Sequence, residues 1–283
     1  MLNLLTWNVN GIRAAIKKDL WSKLDTLTPD LLCVQETKAD ESVMSTPAVR
    51  TEEWAVAFHS CSAKKGYSGV ATYYPAPATG MFASALSTSL TKFTTRTLQV
   101  GLNLPEFDVE GRLIVTKHVL RAPVTSIRDF VVLNGYYPQG GRGEHRIEYK
   151  IKFYEAVHAY ANSLVENGEH VLICGDLNTT VADIDLARPA QNRKTTGCLP
   201  EERATLDLFL KGGFTDTFRH FHPEQAGAYT YWDQITKARE RNVGWRIDYW
   251  LAADSLLPYV SKAFILTDVY GSDHAPAGIH LNI

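Results

Sequence analysis

Long apolar runs are absent from this chain: nowhere do hydrophobic residues continue for the roughly 20 positions that a membrane-crossing helix needs. The first residues, Met-Leu-Asn-Leu-Leu-Thr-Trp-Asn, lack the charged region, apolar stretch and cleavage site of a secretory leader. An intracellular protein is therefore expected, in the cytoplasm or nucleoid of a prokaryote or the nucleus of a eukaryote. Cysteine is scarce. The four present, Cys33, Cys61, Cys174 and Cys198, form no CxxC pair and no zinc spacing, so they read as reduced, small hydrophobes and not as a disulfide framework. Neither charge sign dominates, since the formal net charge is −2. That excludes a generally basic protein but leaves room for a local basic stripe facing nucleic acid. Also missing are the GxxxxGK phosphate loop, GxGxxG, the GxSxG elbow and HExxH, which removes the commonest nucleotide, hydrolase and zinc-protease signatures. No Gly/Ser-rich linker, low-complexity tract or fixed-period repeat divides the 283 residues, so a single domain over 1–283 is expected.

What is present is a soluble globular composition, 45% hydrophobic and 21% charged, enough for a full core. Short runs rich in branched and aromatic residues recur at Leu2 to Val9, Leu31 to Gln35, Gly69 to Tyr74, Arg112 to Lys117, Asp129 to Tyr136, His170 to Cys174, Arg246 to Ala252 and Ala277 to Leu281, each predicting a strand. Helical periodicity covers Glu144 to Val165 and Glu201 to Leu210, the second entered by Pro200. The class is α/β with many strands and few helices. Pro75 to Asp108 has little pattern and is expected to be a surface excursion.

Several apolar runs end alike. Leu4-Leu5-Thr6-Trp7 gives way to Asn8-Val9-Asn10-Gly11, Leu32-Cys33-Val34-Gln35 to Glu36-Thr37-Lys38, Val171-Leu-Ile-Cys-Gly to Asp176-Leu-Asn178, and Trp245-Arg246-Ile247 to Asp248; Gly271-Ser-Asp273-His274 precedes the last strand. Two residues apart, Asp176 and Asn178 are expected on one side of a pleat. An acid or amide at a strand end is ordinarily a turn former. Here the same ending repeats, and strands of a sandwich bring such ends to one rim. Asn8, Asn10, Glu36, Asp176, Asn178 and Asp273 together offer hard oxygens and no thiolate, which suits Mg²⁺, with Mn²⁺ as a substitute, at about 2.0–2.2 Å.

Such a metal commonly works on phosphate, where hydrolysis needs an oriented water, a proton acceptor and donors for the phosphoryl oxygens. Asp176 and Asn178 suit the water and phosphate, Glu36 the metal, and His274 a phosphate oxygen, with Asp248 fixing the imidazole. The other eight histidines, such as His59, His145 and His222, carry no comparable context. Gly140-Gly-Arg142-Gly143 is either a plain turn or a mobile, phosphate-seeking loop.

The quoted endings, together with Gly66-Tyr67-Ser-Gly-Val70, Glu110-Gly-Arg112, Tyr136-Tyr-Pro-Gln139, Leu199-Pro-Glu-Glu-Arg203 and Val243-Gly-Trp-Arg-Ile-Asp248, resemble the exonuclease III type of apurinic/apyrimidinic endonuclease, in that family's order and along the whole chain. The resemblance implies a four-layer α/β sandwich of two mixed β-sheets flanked by helices. It also implies Mg²⁺-dependent hydrolysis of the phosphodiester 5′ to an abasic site, leaving a 3′-hydroxyl, with 3′→5′ exonuclease and 3′-phosphatase side activities. Tyr136, Asp176, Asn178, Asp248 and His274 are the catalytic residues it implies. By the same resemblance Asn8, Glu36, Asp176, Asn178, Asp273 and His274 would surround the metal. Tyr231, Trp245 and Ile247 would wall a pocket for a flipped-out sugar, and Arg13, Lys18, Tyr67, Arg142 and Asn192 would hold the DNA backbone. The implied partner is double-stranded DNA with abasic sites, met by a monomer.

The sequence departs from the family pattern in places. Asn10 stands where some members carry Asp, Gln139 and Thr195 where some carry Asn, residues 75–108 are longer than expected, and no long extension is expected before the first strand. Two further readings remain: the same fold and metal serving as an inositol-phosphate phosphatase or general nuclease, and an inert DNA-binding scaffold. The retained set Glu36, Asp176, Asn178, Asp248 and His274 speaks against the scaffold, because buried charge has a cost that an inert protein has no reason to keep.

Overall fold

The computed structural model describes residues 1–76 and 92–283. Within them the strands, numbered in chain order, form two six-stranded sheets. The first runs β11 (Val260–Ile265), β12 (Ala277–Leu281), β1 (Leu2–Asn8), β2 (Leu31–Gln35), β4 (Val70–Pro75), β3 (Trp54–His59). The second runs β5 (Phe93–Val100), β6 (Leu113–Leu120), β7 (Asp129–Tyr136), β8 (Val171–Asp176), β10 (Asp248–Ala253), β9 (Phe214–Asp216). Each sheet holds one parallel pair at its centre, β1 with β2 and β7 with β8, and its other pairings are antiparallel. The sheets pack face to face with helices outside, which is the four-layer α/β sandwich.

The alternation of each central strand explains the layers. In β1, Leu2 and Leu4 point between the sheets while Leu5 and Trp7 point to the outer helices; in β8, Leu172 and Cys174 point inward while Val171 and Ile173 point outward. The inner layer also gathers Leu31, Cys33, Phe130, Val132, Trp250 and Ile279. On the second sheet's outer face, Phe153, Tyr154, Val157 and Ala161 of helix Glu144–Glu166 meet Leu206 and Phe209 of helix Pro200–Lys211. Each such side chain, fully buried, stabilises by about 1.5–3 kcal/mol relative to exposure. Ile12, Ala15, Leu20 and Leu24 cover the first sheet from two short helices, Ile12–Lys17 and Leu20–Leu27.

Towards one end the inner layer changes from apolar to polar. Leu2 and Leu4 are followed on their side by Thr6 and Asn8, Leu31 and Cys33 by Gln35, Phe130 and Val132 by Asn134, and Leu172 and Cys174 by Asp176. Gln35 donates to Thr6 Oγ1 at 2.9 Å and, across the sheets, to Asn134 Oδ1 at 2.7 Å. The parallel pairs finish together at this end, with Asn8 in register with Gln35 and Tyr136 with Asp176, while β10 begins there with Asp248 opposite Asp176.

All eight expected strands are present with ends shifted by up to three residues, and both expected helices are present as Glu144–Glu166 and Pro200–Lys211. The four additional strands, β3, β5, β9 and β11, are the edges of the two sheets. β5 and a short helix, Pro105–Asp108, lie in the segment expected to be a surface excursion, so residues 93–100 are instead sheet; residues 77–91 of that segment lie outside the described residues. Among the described residues no helix is long and apolar enough to cross a membrane.

Candidate active site

Close strand approach prepares the site. Gly135 and Gly175 sit opposite each other one residue before Tyr136 and Asp176, and a Cβ on Gly175 would lie 1.9 Å from the Gly135 carbonyl oxygen. Past the strand ends the chain turns sharply: Asn10, Glu36, Lys38 and Asn178 all have positive φ, between 49° and 53°. Backbone of this kind costs about 1–3 kcal/mol per residue and persists where neighbours over-determine it. β8 stops at Asp176, so Asn178 reaches the cavity through this left-handed turn and not through the pleat that the two-residue spacing suggests. Its N–H donates to Asp176 Oδ1 at 2.9 Å and its side-chain amide to Tyr137 O at 2.9 Å.

One amide joins the two sheets. Asn8 Nδ2 donates to Glu36 Oε1 and to Asp176 Oδ2, each at 2.9 Å, while Asn8 Oδ1 accepts the Asn10 N–H at 3.0 Å. Asn10 Nδ2 donates to both Asp273 oxygens at 3.0 Å. Ser272 Oγ donates to Asn8 O at 2.7 Å and lies 3.0 Å from Asp273 Oδ1, tying the last loop to β1. His274 is held from three sides. Its Nδ1 is 2.8 Å from Asp248 Oδ2, its Nε2 is 3.8 Å from Asp176 Oδ2, and its carbonyl accepts from Trp7 Nε1 at 3.1 Å. Thr230 Oγ1 accepts the N–H groups of Ile247 and Asp248 at 3.0 and 3.1 Å, fixing the start of β10.

Burial and mutual charge set the protonation states. Burial raises the Glu36 carboxyl, but Lys38 beside it and the Asn8 amide outweigh burial and leave it below the ordinary carboxylate value. Asp176 rises to about 7, through burial first and then the neighbouring Asp248 charge. His274 rises to about 10: burial opposes its charge, and the Asp248 carboxylate, with smaller help from Asp176, more than reverses this. Tyr136 stays a neutral phenol, its ionisation opposed by burial and by Glu36 and Asp176.

These groups open onto a cavity of about 450 Å³. Of the residues singled out in the sequence, Glu36, Tyr136, Asp176, Asn178, Asp273 and His274 line it, as do Asn10, Gln139 and Thr195. Tyr231, Trp245 and Ile247 form its less polar wall, with the Tyr231 ring 4.9 Å from that of His274. Asn8 and Asp248 stand buried behind the lining. The expected backbone contacts are more scattered. Lys18 is exposed and reaches Gly271 O at 2.9 Å; Tyr67 accepts from Arg112 at 2.8 Å and has the Arg142 guanidinium 5.7 Å from its ring. Arg13 faces a separate groove of about 800 Å³, and Asn192 donates to Arg188 O at 2.8 Å outside the cavity lining. Sequence reasoning passed over Lys38, Thr196 and Asp233, which also line the cavity.

The donor set fits a hard cation. The Lys38 ammonium sits 2.7 Å from Glu36 Oε2 and also donates to Asn10 Oδ1, so a positive charge already lies between hard oxygens. Glu36 and Asp273 present carboxylate oxygens to the cavity. Asn8 and His274, also expected around the metal, are both already engaged by neighbouring residues. The Asn8 oxygen accepts the Asn10 N–H and its own N–H groups face the Glu36 and Asp176 carboxylates, while His274 Nδ1 is taken by Asp248. Asp176, Asp248 and His274 have potential ligand atoms within 4.8 Å of one another, a second group whose geometry could hold a metal ion.

The model of the Endonuclease/Exonuclease/phosphatase family matches residues 5–274. The chain is 35% identical over 283 residues to an exodeoxyribonuclease of Bacillus subtilis, covering all of both chains. It is 34% identical to the DNA repair nuclease APEX1 of Danio rerio, covering all of this chain and 83% of that one. Among solved structures it is similar to an AP endonuclease from Leishmania major, with a TM-score of 0.85 and 28% identity over 100% of this chain and 88% of the other. The catalytic domain of Xenopus laevis APE2 gives 0.84 and 30% identity over 99% and 92%.

Proposed function

Because this chain belongs to the endonuclease/exonuclease/phosphatase family, we propose that it is a Mg²⁺-dependent apurinic/apyrimidinic endonuclease of DNA base-excision repair. It hydrolyses the phosphodiester 5′ to an abasic site and leaves a 3′-hydroxyl, with 3′→5′ exonuclease and 3′-phosphatase as side activities. The whole chain acts as one domain, since Glu36 follows a strand of the first sheet while Asp176 and Asp248 belong to the second. One observation carries the reading: the polar wall of Glu36, Asp176 and His274 and the flatter wall of Tyr231, Trp245 and Ile247 share one cavity. A baseless deoxyribose has few groups to hydrogen-bond, so flat apolar walls beside a phosphate site suit it.

Glu36, with Asp273 and Asn8 nearby, would hold the Mg²⁺, which when bound would neutralise phosphoryl charge. Mn²⁺, similarly hard, is the expected substitute. The protein's own part follows from its protonation states. Asp176, at about 7, is poised near neutral pH to take a proton from the attacking water at a carboxylate oxygen. Asn178, anchored to Asp176 and Tyr137, orients that water with its side-chain oxygen. His274 keeps its proton and donates from Nε2 to a phosphoryl oxygen while Asp248 holds Nδ1. The neutral Tyr136 phenol donates to the same phosphate. Lys18, Arg142 and the other cations singled out in the sequence hold the flanking phosphates of double-stranded DNA, which the protein meets as a monomer.

The test compares a duplex carrying one tetrahydrofuran abasic analogue with an undamaged duplex bearing a recessed 3′ end, each with Mg²⁺ and with EDTA. Metal-dependent nicking of the first duplex is expected. Degradation of the recessed end alone would leave the metal site standing and remove the abasic pocket. If neither duplex is cut and inositol phosphates lose phosphate, the phosphatase reading replaces this one.

A further inference from the structure

Beneath the cavity lies a charged pair that has no place in the hydrolysis described above. Lys150, on helix Glu144–Glu166, and Glu202, on helix Pro200–Lys211, are both fully buried, with Nζ 2.8 Å from Oε1. Lys150 Nζ also donates to the backbone oxygen of Asn178 at 2.7 Å. The Glu202 carboxylate accepts from Thr196 Oγ1 at 2.6 Å, from the Gly197 N–H, and from the Leu199 N–H at 3.3 Å. Thr196 Oγ1 in turn accepts the Gly140 N–H at 3.1 Å. A polar chain therefore runs from the glycine loop through Thr196, Glu202 and Lys150 to Asn178.

Stability alone explains this pair poorly. Desolvating two charges costs several kcal/mol each, and well-packed apolar replacements of buried ion pairs are often neutral or stabilising. Phe153, Tyr154, Leu206 and Phe209 already dock the two helices. What an apolar pair cannot supply is a donor for the Asn178 carbonyl and fixed acceptors for three donors. Asn178 is at φ 53°, a conformation that needs outside anchors, and Lys150 is one of its three.

We propose that Lys150 and Glu202 are positioning residues. They set the Asn178 amide and the Gly140–Gly143 loop relative to one another, so that the group orienting the water and the loop over the flanking phosphate move as one. The role assigned to Asn178 rests on the function proposed above.

The test uses the full chain with the double substitution K150M/E202L. Four quantities are measured beside the wild type: Tm, kcat and KM for the abasic duplex well below both Tm values, and exchange of the Gly140 amide hydrogen. The expected result is a Tm equal to or above wild type, a kcat lower by about tenfold to a hundredfold with KM within about threefold, and faster Gly140 exchange, as loss of sub-ångström placement implies. A stable variant with wild-type kcat and unchanged Gly140 exchange would overturn the proposal. So would a kcat loss that vanishes on cooling further below Tm, which marks a purely structural pair. Should the double variant not fold, T196V breaks the same chain at one hydroxyl and must speed Gly140 exchange and lower kcat, or the proposal fails. A wild type unable to nick the abasic duplex would instead sink the function proposed above, and Gly140 exchange in the variant would still decide whether the pair couples loop to cavity.

Discussion

Replacing Asp248 by Asn keeps the shape of the carboxylate and removes its charge. In the wild type the ring of His274 rises from an ordinary 6.5 to about 10, which corresponds to about 5 kcal/mol of preference for the imidazolium at 1.36 kcal/mol per pH unit. Burial opposes that preference, and Asp248, at 2.8 Å from Nδ1, is the main cause that reverses it. A raised histidine keeps its proton through neutral pH and loses it as pH climbs through the raised value, so the wild-type grip on phosphate lasts to about pH 10. In D248N burial remains and only the weaker Asp176 and Asp273 charges support the ring, so the proton leaves at a lower pH than in the wild type. The assay is kcat/KM for nicking an abasic duplex from about pH 6 to about pH 9. The ratio of wild type to D248N is expected to grow by up to about tenfold per pH unit above the variant's pKa. A ratio that stays constant across that range would refute the imidazolium role and leave Asp248 a packing residue.

Asp176 carries the opposite sign. Its carboxyl is raised to about 7, so ionising it in the fold costs stability, a cost that begins near pH 4 and is complete above about pH 7. D176N should therefore abolish nicking by about a thousandfold or more while raising Tm by a few degrees at pH 8, with the gain shrinking towards pH 4; a lower Tm at pH 8 would contradict the desolvation argument. E36A should shift the Mg²⁺ titration of activity to concentrations at least about tenfold higher, and an unchanged titration would remove Glu36 from the metal. G175A places a Cβ 1.9 Å from Gly135 O at φ 126°, so urea unfolding should show a loss of more than about 4 kcal/mol or no folded protein, whereas a loss under about 1 kcal/mol would show that β7 and β8 can part there.

The sequence was most legible where strands are buried on both faces. The central strands β1, β2, β7 and β8 read as apolar runs because one face packs on the opposite sheet and the other on helices. The edge strands escaped notice. β5, Phe-Thr-Thr-Arg-Thr-Leu-Gln-Val, and β11, Val-Ser-Lys-Ala-Phe-Ile, mix polar and apolar positions because each has a neighbour on one side only. The helices Ile12–Lys17 and Glu41–Met44 span too few turns to repeat a periodicity.

At the site, acids and amides at strand ends marked the rim well because they interrupt an apolar layer at one level. Their individual roles were less visible. That Asn8 bridges two carboxylates with its nitrogen, and that Lys38 lies against Glu36, depend on left-handed turns at Asn10, Glu36 and Lys38 which no residue type announces. Arg13 and Asn192 show the weakest correspondence, since surface cations and amides carry no pattern that tells one face from another.

Mapping both ends of the nick tests the central claim most directly. A duplex with a single tetrahydrofuran analogue, labelled on each end of the damaged strand in turn, is incubated with Mg²⁺ and with EDTA, and the upstream fragment is offered to a DNA polymerase. The expected result is one Mg²⁺-dependent cut immediately 5′ to the analogue, giving an upstream fragment that the polymerase extends at once from its 3′-hydroxyl. A cut 3′ to the analogue, an upstream end that cannot be extended without prior phosphatase treatment, or equal cutting in EDTA would contradict it.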